Sequence, residues 1–121
     1  MKRLVSALAM LVILTGARVQ VQVPDNVEPG FEEVRSYRAM LDPLRYEYVS
    51  GVIDGLLVSV AAGAPQKAMN ALKECIARDN IAQITGMVDK YVAGHPEYWE
   101  SGAHVMVYLA LRDHCPGMAA K

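Results

Sequence analysis

Apolar positions recur at three- and four-residue spacing through most of the chain, and that periodicity predicts helices. The longest run is Leu44 to Ala62, where Tyr48, Val52, Ile53, Leu56, Leu57 and Val60 share one broad face. Before it, Phe31, Val34, Tyr37, Ala39, Met40 and Leu41 predict a short helix over 31–41, with Glu32 and Glu33 where a helix dipole favours acids. Asp42-Pro43 breaks this helix and starts the next, Asp42 as cap and Pro43 in the first turn. Gly63, Ala64 and Pro65 end the long run, and a further short helix is predicted over 66–74. Asn80 to Gln83 has the form of a capping box, in which the Asn side chain takes the amide three residues on while Gln83 reaches back. Ile81, Ile84, Val88, Tyr91 and Val92 supply the face that follows, and Gly94, His95 and Pro96 stop it.

Residues 97–102 form a short acidic-aromatic turn, with Ser101 expected to cap a last helix reaching His114. Ala103, Val105, Met106, Val107, Tyr108, Leu109, Ala110 and Leu111 are apolar nearly all round, the pattern of a helix at the centre of a bundle. Pro116 and Gly117 end it, and 118–121 reads as a loose tail. Only 18–30 departs from the helical period: Val19, Val21 and Val23 alternate with Gln20 and Gln22. With no second strand-like run to pair, an extended or disordered tail is expected there. The fold class predicted is all-α, a single bundle of four to five helices over 31–117.

Length and composition agree. With 121 residues, 53% apolar and 21% charged, the chain suits one domain with a real core. Met1 to Ala17 has a basic start (Lys2, Arg3), an apolar run from Leu4 to Leu14, and Thr15 and Ala17 where a signal peptidase reads. We therefore expect a signal peptide over 1–17 and a product in the periplasm, with no membrane association after removal. Without Lys2 and Arg3, ten basic residues face thirteen acids. That is no footprint for nucleic acid.

An oxidising destination changes the reading of Cys75 and Cys115, the only cysteines: they are expected to pair as a disulfide. The rival, a metal site with His114, falls short of the usual four zinc ligands. His104 and His114 lie ten residues apart on one helix, roughly 15 Å along its axis, too far to share an ion. There is no HExxH, glycine-rich phosphate loop or GxSxG, so neither catalysis, metal nor cofactor is expected.

Three features invite both a structural and a functional reading. Gly51, Gly55 and Ser59 fall four apart on the long helix, where each glycine costs about 1 kcal/mol relative to alanine. Close approach of another backbone would explain them, and a ligand groove is the alternative. Asp54, between them, reads as a structural cap or brace, with a catalytic acid as the rival. The turn Glu97, Tyr98, Trp99 and Glu100 holds the only tryptophan, and such aromatic turns serve as recognition hot spots. Equally, Trp99 could lid the core.

The order of these signals resembles the Rap/Tai family of immunity proteins, which bacteria with type VI secretion use against peptidoglycan amidase effectors. The residues that carry the resemblance are Tyr48-Val49-Ser50-Gly51-Val52-Ile53-Asp54-Gly55, Cys75-Ile76, Gln83, Val88, Tyr91-Val92, His95-Pro96-Glu97, and Ala110-Leu111 leading to Cys115-Pro116. Members are similar in being exported, small, helical and stapled. The resemblance implies a non-catalytic amidase inhibitor that blocks the amidase cleft with a surface loop, often as a homodimer. Many relatives have a further cysteine just before the Tyr-x-x-Gly motif, where this chain has Arg45, Tyr46 and Glu47. One staple is therefore expected where relatives have two. The runner-up function, from another class, is a periplasmic stress or holdase-type protein.

Overall fold

A computed structural model describes residues 31–119, so the expected signal peptide and the tail over 18–30 lie outside the described residues. The described chain holds five α-helices and no strand: α1 (Val34–Ala39), α2 (Asp42–Val58), α3 (Gln66–Ile76), α4 (Ile81–Gly94) and α5 (Ala103–His114). Short 3-10 turns at Ser59–Ala62, Pro96–Tyr98 and Pro116–Ala119 follow α2, α4 and α5.

Local chemistry sets most boundaries. The α4 capping box is complete, with Gln83 N–H donating to Asn80 Oδ1 and Asn80 N–H to Gln83 Oε1, each at 2.9 Å. After α2 the helix tightens, and Gly63 reverses the chain at φ 99°, a left-handed conformation that glycine alone takes without strain. Asp42 is not the cap expected of it. It is the first residue of α2, where its carboxylate pairs with Arg45, while the Leu41 carbonyl accepts from the Leu44 and Arg45 amides.

Ser101 does not cap α5 either. Gly102 holds the cap position, and the Ala103 N–H donates to the Glu32 carbonyl at 2.7 Å. In return the Ser101 carbonyl accepts from Val34 N–H at 2.9 Å, the first amide of α1. Two helix starts thus satisfy each other through backbone, around the isolated bridge Glu33↔Gly102.

As the apolar pattern predicts, α5 is the core helix: Ala103, Met106, Val107, Ala110 and Leu111 are buried, and α1, α2 and α4 pack against it. Val49 and Ile53 of α2, Leu72 of α3, and Ile84, Val88 and Val92 of α4 complete the interior with Val34 and Tyr37 of α1. Phe31, expected on the face of the first helix, is instead fully exposed, because α1 begins three residues later.

The disulfide Cys75–Cys115 is formed, tying the last turn of α3 to the end of α5. Beyond it the expected loose tail is a packed element. Pro116–Ala119 lies along α3, Met118 is buried, and a Cβ on Gly117 would stand 2.9 Å from the Ala71 Cβ. The staple delivers this segment to α3, and glycine lets it approach.

Candidate functional site

The turn between α4 and α5 is built from its first residue by a histidine. His95 closes α4, its amide donating to the Val92 carbonyl, and its ring stacks on Tyr91 with centroids 4.0 Å apart. Nδ1 lies 2.7 Å from the Tyr91 carbonyl; a carbonyl only accepts, so Nδ1 carries the proton in that bond. Pro96 then fixes the first position of the 3-10 turn. Glu97 and Tyr98 follow on the outside, Tyr98 43% exposed.

Trp99 points back. Its indole N–H donates to the Val92 carbonyl at 3.1 Å, its ring packs against the core, and the Arg38 guanidinium covers it at 3.4 Å from the ring centre. The lid reading of Trp99 therefore describes its contacts. Glu100 is exposed and pairs with Arg35, a contact in open solvent that adds little to stability.

The structure thus gathers His95, Pro96, Glu97, Tyr98, Trp99 and Glu100 into one turn, and adds Arg35 and Arg38 of α1, which sequence reasoning missed. Their three-residue spacing puts both arginines on one helix face, but nothing local shows that this face meets a turn over sixty residues away.

Tyr48, Gly51, Asp54 and Gly55 do not join this turn. Tyr48 is half-buried, its ring 5.7 Å from that of Tyr37. Burial, with the Glu32 carboxylate adding to it, pushes the Tyr48 hydroxyl above its ordinary pKa, while the His104 backbone amide pulls the other way. Asp54 is exposed and forms no ion pair among the described residues, so it is not a brace. Gly51 and Gly55 are also exposed, with nothing within 4 Å of the position a Cβ would take. No backbone packs on that stripe in the described chain, which corrects the close-approach expectation. Gly55 instead lines an open apolar groove of about 360 Å³ with Val52, Leu56, His104, Val105 and Tyr108.

Beneath α1 lies a polar cluster with no motif. The Tyr37 hydroxyl donates to Asp89 Oδ1 at 2.8 Å, and Arg45 Nε stands 3.5 Å from Asp89 Oδ2. Burial first, then the hydrogen bond to Asp89 and that carboxylate's charge, push the Tyr37 pKa well above the ordinary tyrosine value, with Arg45 opposing.

Among the described residues no group of three or more His, Cys, Asp or Glu side chains could hold a metal ion, and both cysteines are paired. No helix among them is long and apolar enough to cross a membrane. No family model, curated protein or solved structure matches this chain.

Proposed function

We propose that this chain is an exported immunity protein that binds a peptidoglycan amidase effector of type VI secretion and occludes its active site without chemistry of its own. The observation that carries the reading is the turn at 95–100: Glu97, Tyr98 and Glu100 face solvent on a backbone anchored by His95 and Trp99. A projecting turn that is ordered before contact lowers the cost of association, which a defence against self-intoxication needs. The exposed Glu97 carboxylate beside Tyr98 would meet a basic group on a partner surface, Glu100 being already paired with Arg35.

Two further features support the reading. The Cys75–Cys115 disulfide suits an oxidising compartment such as the periplasm. The stapled all-helical scaffold is also what the resemblance to the Rap/Tai family implies. From the same resemblance the proposal includes a homodimer, which sedimentation of the purified protein tests. Mixing the mature protein with the amidase encoded beside its gene should abolish cleavage of peptidoglycan fragments; undiminished hydrolysis at saturating protein rejects the proposal.

The groove between α2 and α5, with Leu44 and Val58 exposed elsewhere on α2, favours a second reading as a periplasmic holdase-type protein. Suppressed aggregation of unrelated unfolded substrates, without amidase inhibition, would decide for it.

A further inference from the structure

We infer that Tyr37 and Asp89 are positioning residues for the recognition turn: by latching α1 onto α4 they fix the 99–102 backbone, the half of the turn that carries Glu100 and leads into α5. The role in binding rests on the function proposed above; the coupling of latch to turn does not.

The latch is needed because α1 is short. Helices shorter than about 12 residues are marginal in isolation, and α1 spans six residues with no side-chain cap. Docking must hold it. Two buried side chains do so, Val34 and Tyr37, and the Tyr37 hydroxyl adds the bond to Asp89 of α4.

What α1 gives in return is specific to the second half of the turn. The Val34 and Arg35 amides, both in its first turn and therefore without acceptors inside the helix, donate to the carbonyls of Ser101 at 2.9 Å and Trp99 at 3.1 Å. The segment leading into α1 supplies the Glu32 carbonyl that accepts from Ala103, the first residue of α5. Arg38 lies over the Trp99 ring and Arg35 pairs with Glu100. If α1 leaves, three amides and three carbonyls lose their partners together and the indole loses its cover. Such mutually dependent bonds open as one unit.

The first half of the turn is independent of α1. His95 is held by Tyr91 and the Trp99 indole by Val92, both from α4. The latch therefore governs where the chain goes after Trp99, and Tyr37 reaches the turn only through α1.

Hydrogen exchange on the full chain, wild type against Tyr37→Phe, tests the coupling. Losing a hydrogen bond to a charged acceptor is expected to speed exchange of the Val34, Arg35 and Ala103 amides by about tenfold or more, leaving the α3 core around Leu72 unchanged. Asp89→Asn, which also strips Arg45 Nε of its carboxylate partner, should show the same pattern at least as strongly. Faster exchange at Val34 and Arg35 with Ala103 at its wild-type value would overturn the coupling, as would no change or uniform acceleration through α3. If the coupling holds but Tyr98→Ala binds the amidase as tightly as wild type, the exposed side of the turn is not the binding surface, and the functional proposal fails while the latch stands.

Discussion

The guanidinium carbon of Arg38 lies 3.4 Å from the centre of the Trp99 ring, while the indole N–H reaches the Val92 carbonyl at 3.1 Å. The lone tryptophan is thus fixed between α1 and α4. An indole clamped between two elements is a structural plug, and the surface beside it belongs to Tyr98, Glu97 and Glu100. The lid and the proposed recognition residues are neighbours in one turn.

Substitutions should separate those roles. Trp99→Ala removes a hydrogen bond, a cation–π contact and partly buried ring area, and is expected to cost about 2 kcal/mol, below the 3–5 kcal/mol of a fully buried tryptophan. Tyr98→Ala should change stability by less than about 1 kcal/mol while weakening amidase binding tenfold or more. Denaturant unfolding and titration of the complex give the two numbers; a Tyr98→Ala protein that binds normally would remove Tyr98 from the interface.

The staple closes a loop of about 40 residues, for which chain entropy gives at most about 4 kcal/mol. Cys75→Ser with Cys115→Ser should lower stability by a large part of that figure, and reducing the wild type should bring it to the same midpoint. A reductant-insensitive midpoint would contradict the bond.

Two glycines should respond in opposite directions. At Gly55 the added methyl meets open space and relieves a helix interior, so Gly55→Ala should stabilise by about 0.5–1 kcal/mol. At Gly117 it would press on Ala71, so Gly117→Ala should destabilise by about 1–3 kcal/mol. Ala71→Gly alone should cost about 1 kcal/mol as a glycine inside α3, and the double variant should lose less than the sum of the two single losses, as thermal melts of all three would show.

Alkaline pH provides another handle. The folded protein holds the Tyr37 proton more tightly than the unfolded chain does, so this group's contribution is fully present below about pH 10 and is lost as pH rises further. Tyr48 shifts the same way. Tyr37→Phe should therefore start less stable but lose stability less steeply above about pH 10, by up to about 1.4 kcal/mol per pH unit. Parallel slopes in the two proteins would contradict the assignment.

What the sequence made legible is what local chemistry decides. The capping box at Asn80 and Gln83, the buried face of α4 and the central position of α5 all follow from spacing alone, and the cysteine pairing from number and context. The failures share one cause. Ser101 looked like the cap of α5, but the acceptor is the Glu32 carbonyl, brought from the far side of the chain. The stripe of Gly51, Gly55 and Ser59 marks a helix face, and periodicity does not say whether anything lies against it. Asp54 sits in an apolar stretch of α2 and still turns to solvent. Likewise Arg35 meets Glu100 across 65 residues, beyond the reach of any local rule.

Hydrogen exchange of the protein, alone and saturated with a type VI peptidoglycan amidase effector, bears on the proposed binding surface without intermediaries. New protection is expected at the Tyr98 to Ser101 amides and the first turn of α1. Protection confined to the α2 and α5 groove, or none at saturating amidase, would contradict it.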